Sequence, residues 1–253
     1  MVNNKQGAIA SFSTRYIAHR GLHDNAADWP ENTLAAFARA VEAGYGIELD
    51  VHVTRDDQLV VAHDDGLGRI CGEDVAIADL SLGELRQRRV LGSTQTIPLL
   101  SEVLSVVDGR VPLIVEIKQE SDATRIAKLT NAVMSTYDGV YCIESFDPRV
   151  LWWYRLHRPD VTRGQLADVV TPEVSTSFKV LDWALTNMAF NLITWPDFIA
   201  YDCQHAAQPA LHWWRRVLGC PLVAWTIRSQ RQLDNAKHSF SAYIFEGFTP
   251  AVD

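Results

Sequence analysis

Residues 46–54 read Gly-Ile-Glu-Leu-Asp-Val-His-Val-Thr, and the alternation within that run decides how the chain folds. In an extended strand alternate side chains share a face, so Glu48 and Asp50 project together while Ile47, Leu49 and Val51 project the other way. Two acids on one strand face are half of a metal site. The run stands between His19-Arg20-Gly21 upstream and His63-Asp64 downstream, and a further acid and base, Glu116 and Lys118, sit in Leu-Ile-Val-Glu-Ile-Lys at 113–118. Acids, imidazoles and fixed positive charge converging on strand ends suit phosphate-ester chemistry.

Working outward, short apolar runs recur at 16–18, 46–51, 59–62, 112–117, 140–143, 198–202, 221–226 and 242–246, with a weaker one at 161–166. Amphipathic stretches of helical length separate most of them. The clearest spans 31–44, with Pro30 near its start, Leu34, Phe37 and Val41 at helical spacing and Gly44 as its stop. Similar patterns cover 96–107, 122–134 and 210–218. Alternating strands and helices without a linker predict one α/β domain over residues 1–253, its parallel strands either closed as a barrel or open and doubly wound. Closure is favoured because His19, Glu48, Asp50, Glu116, Lys118 and Trp225 end several different strands, whereas an open sheet gathers its ligand at one switch point. Residues 51–64 read as a hairpin extending the second strand, and the irregular residues 65–96, with a short helix near 81–89, as a small insertion over the barrel mouth.

At 253 residues and 47% hydrophobic content the chain can bury a full barrel core. A net charge of −8 with scattered Lys and Arg argues against nucleic acid and against stable membrane association. Cys71, Cys142, Cys203 and Cys220 are widely spaced, which fits reduced cytoplasmic thiols rather than a zinc ribbon or disulfide framework. The first fifteen residues lack an apolar core of leader length, and no apolar run reaches membrane-spanning length.

The ordered elements Ile-Ala-His-Arg-Gly, Pro-Glu-Asn-Thr-Leu at 30–34, Ile-Glu-Leu-Asp, Ala-His-Asp and Val-Glu-Ile-Lys resemble the glycerophosphodiester phosphodiesterase family, most of all its short cytosolic bacterial members. The likeness is strongest over residues 17–64 and continues through Ser-Phe-Asp-Pro at 145–148 and Ala-Trp-Thr at 224–226. It implies a TIM (β/α)8 barrel with a small insertion after the second strand, hydrolysing diesters such as glycerophosphocholine or glycerophosphoethanolamine to glycerol 3-phosphate and an alcohol. By the same resemblance Glu48, Asp50 and Glu116 hold one divalent cation, and their hard oxygens suit Mg2+ or Ca2+. His19 and His63 become the proton carriers, Arg20 and Lys118 the phosphate contacts, Glu31 a ligand or a partner behind the ligands, and Trp225 the aromatic against the glycerol.

Two positions depart from the family pattern. Arg228 stands where many relatives carry Asn, and the last strand ends Ala-Tyr-Ile-Phe-Glu instead of in the usual acidic Asp-Gly type, so Glu246 is either a replacement contact or an ordinary strand-end carboxylate. His23 and Asp24, after the His-Arg-Gly loop, are read as capping a turn rather than touching substrate, and His52 as solvated or structural. Trp152-Trp153 and Trp213-Trp214 fall in helical patterns, where neighbours point about 100° apart, so each pair is read as anchoring a helix to the barrel. A phospholipase D-like enzyme acting at a lipid interface would profit from an apolar rim, and the sequence gives no sign of one. The remaining alternative is a barrel that binds phosphate esters without turning them over.

Overall fold

The computed structural model describes residues 16–169 and 178–251. Its strands are β1 (Tyr16–Ala18), β2 (Gly46–Val53), β3 (Leu59–Val61), β4 (Leu113–Ile117), β5 (Tyr141–Ser145), β6 (Arg163–Ala167), β7 (Phe198–Asp202), β8 (Leu222–Ile227) and β9 (Ala242–Phe245). All but β3 run parallel in the order β1-β9-β8-β7-β6-β5-β4-β2, and β1 pairs again with β2, Ile17 opposite Gly46, which closes the ring. The fold is therefore the closed eight-stranded parallel barrel expected from the spread of polar residues over strand ends. β3 lies antiparallel to β2, with Val51 opposite Val61, as the hairpin reading requires.

Strand parity sorts the core into two layers. Ile47, Leu49 and Val51 of β2 and Leu113, Val115 and Ile117 of β4 face outward into the main apolar cluster under the helices. Ile17, Ile114, Cys142, Leu166, Phe198, Val223 and Ile244 face inward and plug the barrel. Gly164 of β6 is small because the Phe198 ring lies where its Cβ would be, 2.1 Å away.

The helices are α1 (Leu34–Glu42), α2 (Gly68–Cys71), α3 (Leu82–Leu85), α4 (Leu100–Val107), α5 (Ala123–Met134), α6 (Pro148–His157), α7 (Lys179–Thr186), α8 (Asn191–Thr194), α9 (Pro209–Leu218) and α10 (Gln230–Ala236). Side chains of Thr33, Asp122, Asp147 and Ser229 accept N–H bonds at the starts of α1, α5, α6 and α10. α1 begins at Leu34 rather than Glu31 because Asn32 takes a left-handed backbone, φ 56°, which helix cannot accommodate. Beyond β3, α2 and α3 pack with Leu67, Ile70, Ile77, Leu85, Val90 and Ile97 in an apolar cluster of their own.

Each tryptophan pair divides as helix geometry dictates: Trp153 and Trp214 are buried, Trp152 and Trp213 exposed. Contrary to the sequence reading, the surface carries many exposed apolar side chains, including Trp152, Leu156, Trp183, Leu192, Ile193 and Trp195. They come from α6, α7, α8 and its C-cap, short elements whose patterns show no apolar run until folding gathers them. No helix among the described residues is long and apolar enough to cross a membrane. The reading of residues 1–15 as lacking a leader falls outside the described residues.

Candidate active site

The loop after β1 is bent sharply, with φ of 55° at Arg20 and 83° at Gly21. A Cβ on Gly21 would come 2.9 Å from the Ala36 backbone, so only glycine lets this loop press on α1. The bend aims the Arg20 backbone N–H at Glu48 Oε2 (3.0 Å) and sets its guanidinium beside Glu31 (Nη1 to Oε1, 2.9 Å) and Asp50 (Nε to Oδ2, 3.6 Å). His19 is fixed twice. Its backbone N–H donates to the Phe245 carbonyl, and its Nδ1 lies 2.5 Å from Glu246 Oε2. Arg228 Nε donates to the other oxygen of Glu246 at 2.7 Å, so the two departures from the family pattern are partners.

Strand alternation and register assemble the acids. Glu48 and Asp50 share the inner face of β2, and Asp50 stands directly opposite Glu116 of β4. The three carboxylates are buried and offer oxygens that all lie within 4.8 Å of one another. Lys118, just past β4, places Nζ 2.7 Å from Asp50 Oδ1 and 2.8 Å from Glu116 Oε1. The left-handed turn at Asn32 delivers its amide to Asp50 Oδ2 at 2.7 Å. Next in the ring is Glu144, opposite Glu116 on β5 and buried, with Oε2 unpartnered.

The charges sort the acids physically. Burial raises all of them, but Lys118 and Arg20 overcome it at Asp50 and hold that carboxyl far below its usual range. Burial and the neighbouring acids Asp50, Glu116 and Glu144 push Glu48 well above the ordinary value. Burial lifts Glu116 to about 7 despite Lys118, and lifts Glu144 well up alongside the charges of Glu116 and Asp50. Lys118 is itself driven up, because its two carboxylates outweigh its own desolvation. Four buried carboxyls thus face two fixed cations, Arg20 and Lys118. Hard oxygen donors with a deficit of positive charge fit a divalent cation bound by Glu48, Asp50 and Glu116.

His63 follows β3 and sets Nδ1 2.6 Å from Asp64 Oδ1. Asp64 accepts from Arg69 Nε at 2.7 Å, and both Arg69 amino groups reach Glu31 at 2.8 Å. Although burial would raise it, Glu31 is held at about 2 by Arg69 and Arg20. His19 and His63 are both lowered, chiefly by burial. Each has Nδ1 on a carboxylate, so the neutral ring keeps its proton there and its lone pair on Nε2.

Seven of the expected residues line one cleft of about 160 Å3: the imidazoles of His19 and His63, the cations Arg20 and Lys118, the acids Glu48 and Glu116, and Trp225. Asp50 lies fully buried beneath, and Glu31 stands behind Arg20. Trp225 meets Phe146 edge to face, ring centres 5.8 Å apart. His52 stays outside, with Nε2 3.2 Å from the His63 carbonyl, and Asp24 caps a turn through the Ala26 N–H. Sequence reasoning missed Glu144 and Arg69, and gave Asn32 and Asp64 no role beyond their place in the quoted motifs. For Glu144, an acid in the apolar run Tyr-Cys-Ile-Glu-Ser was a readable signal; Arg69 carried none.

A family model described as the glycerophosphoryl diester phosphodiesterase family matches residues 19–235. A glycerophosphodiester phosphodiesterase of Bacillus altitudinis is 37% identical over 119 residues, which are 44% of this chain and 47% of that protein. Lysophospholipase D GDPD1 of Homo sapiens is 38% identical over 120 residues, 42% of this chain and 37% of that one. The matches thus span less than half the length of either curated relative. A solved phosphodiesterase of Oleispira antarctica, in complex with the product sn-glycerol 3-phosphate, shares the fold at a TM-score of 0.76 and 22% identity over 94% of both chains.

Proposed function

This chain belongs to the glycerophosphoryl diester phosphodiesterase family, and from that premise we propose that it hydrolyses glycerophosphodiesters, such as glycerophosphocholine or glycerophosphoethanolamine, to glycerol 3-phosphate and a free alcohol. The observation that carries this reading is the meeting of three buried carboxylates with two imidazoles, an arginine and a lysine around one cleft. Glu48, Asp50 and Glu116 hold one divalent cation, Mg2+ or Ca2+. That ion, when bound, offsets negative charge on the phosphoryl oxygens.

The chain's own residues supply the rest. Arg20 and Lys118 meet the phosphoryl oxygens, where fixed donors lower the cost of charge that develops during displacement. His19 and His63 divide the proton work: one ring takes the proton of the attacking oxygen at Nε2, the other returns a proton to the departing alkoxide. The ring that accepts enters neutral and the ring that donates enters protonated at Nε2, and Glu246 and Asp64 orient both through Nδ1. Glu31 keeps Arg20 in place. Trp225 covers the carbon face of the glycerol. Residues 65–96 act as an insertion over the mouth of a single domain of 253 residues, with Arg69 as its tie to Glu31, and the enzyme works in the cytoplasm.

The test is release of glycerol 3-phosphate from glycerophosphocholine with a divalent ion and after EDTA. Release that needs the ion supports the proposal. Release that survives full chelation overturns the metal role, and no release with any divalent ion overturns hydrolysis.

A further inference from the structure

Two helices on the outside of the barrel repeat one pattern. α6 reads Pro-Arg-Val-Leu-Trp-Trp-Tyr-Arg-Leu-His from Pro148, and α9 reads Pro-Ala-Leu-His-Trp-Trp-Arg-Arg-Val-Leu from Pro209. Each sets tryptophan at its fifth and sixth residues, arginine at its eighth and an aliphatic side chain at its ninth. The inner tryptophan of each pair, Trp153 or Trp214, is buried, whereas Trp152 and Trp213 are 42% and 45% exposed. Residues three and four apart share a helix face, so Trp152, Arg155 and Leu156 form one outer stripe and Trp213, Arg216 and Val217 another. α8 joins the two: Arg155 Nη1 donates to the Ile193 carbonyl, and the Trp195 ring meets Trp214 with centres 6.1 Å apart. Leu192, Ile193 and Trp195 are exposed there, so one apolar face runs from α6 across to α9. A groove of about 520 Å3 between α6 and α8 deepens it.

An apolar face of this extent marks a contact surface, and its charges choose the occupant. α6, α8 and α9 contain no Asp or Glu. Arg155, Arg215, Arg216 and Lys128, which lines the groove, make no ion pair among the described residues. The net charge of −8 therefore belongs to the rest of the chain. A second copy docked through the same face would set arginine against arginine. An anionic lipid surface takes the whole pattern: indole rings rest at headgroup depth, aliphatic tips enter below them, and arginine reaches phosphate along its own methylenes. We propose that α6, α8 and α9 dock the protein reversibly on a membrane surface with anionic headgroups. Among the described residues the catalytic cleft shares no lining side chain with the groove or the two stripes. The proposal thus says where the protein sits and does not depend on what it cleaves.

The experiment sediments the full chain with vesicles of phosphatidylcholine alone and of phosphatidylcholine with about one-third phosphatidylglycerol, at low and at high salt. The expected result is binding to the mixed vesicles at least about tenfold tighter than to phosphatidylcholine, weakening as salt rises. Trp152→Ala together with Trp213→Ala lowers the affinity about 100-fold, roughly tenfold for each ring. Lys128→Gln together with Arg216→Gln lowers it about 30-fold at low salt and far less at high salt. Both pairs of changes lie on the surface and keep the wild-type melting temperature; Leu156→Asp with Val217→Asp serves if the tryptophan pair does not fold. Absence of binding to either vesicle overturns the proposal, as does equal binding to both. Binding that the tryptophan and charge variants leave unchanged places the contact elsewhere and overturns it too. Should the protein without lipid sediment as a dimer that Trp152→Ala with Trp213→Ala dissociates, the face belongs to a second copy and the lipid assignment falls.

Discussion

On the proposed function, single side chains within the cleft divide into those that hold charge and those that move protons, and substitution separates the two. Glu48→Gln and Glu116→Gln remove a carboxylate from the trio, so calorimetric titration is expected to show loss of divalent-ion binding and, with it, of turnover. His19→Ala and His63→Ala leave the trio intact, so they retain the ion while kcat falls about 100- to 10,000-fold. Loss of ion binding in His63→Ala as complete as in Glu48→Gln would remove His63 from the proton-carrying role. Glu31 makes a separate prediction. Its carboxyl titrates at about 2 in the folded chain against 4.5 ordinarily, so its contribution to stability is full above the ordinary value and lost as pH falls through the folded one. Glu31→Gln removes the carboxylate that Arg20 and Arg69 share, leaving them Asp50 and Asp64, and is expected to cost about 3 kcal/mol at neutral pH. Urea unfolding at stepped pH should show that deficit shrinking as the wild type descends from pH 5; a gap that stays constant refutes the assignment.

Elements carry the site as much as side chains do, and the loop joining β1 to α1 is the clearest case. Gly21→Ala adds left-handed strain and a contact with the Ala36 backbone, for an expected loss of about 2–4 kcal/mol. Gly44→Ala has a similar φ of 72° but open space around its Cβ, and is expected to lose only about 1 kcal/mol. Denaturation midpoints of the two check the difference. Most strands were legible in the sequence because parallel barrel strands face apolar surroundings on both sides and read as short Val/Ile runs. β6 was faint since Arg163, Gly164 and Gln165 interrupt its run: Arg163 turns to the Trp195 carbonyl and Asp197, and Gly164 yields space to Phe198. The trio was legible because two of its members lie two apart on one strand. Arg69 was not, since its partner Glu31 is 38 positions away and the pairing exists only once the segment after β3 folds back. Asn32 was hidden by a sequence that reads as helix, where only the left-handed turn reveals its amide bond to Asp50.

For the molecule as a whole, the proposed ion between β2 and β4 would bind the folded barrel and find no such cage in the unfolded chain. Saturation at about one hundred times the dissociation constant is expected to add about 2.7 kcal/mol, which for a chain of this size raises Tm by roughly 5–10 °C. Calorimetric scans with and without the ion measure it, and Glu116→Gln should abolish the rise. A Tm indifferent to Mg2+ and Ca2+ alike would show that these carboxylates do not form a cation site.

Lys118 adds a last consequence. Its ammonium bridges the seam between β2 and β4, touching Asp50 and Glu116 at once, and so acts as a permanent tenant among acids that would otherwise repel one another. Stripping the divalent guest leaves that rivet in place. Demetallation is therefore expected to be a reversible emptying of a preformed socket, with catalysis regained upon resupply at the pace of ion diffusion rather than of refolding.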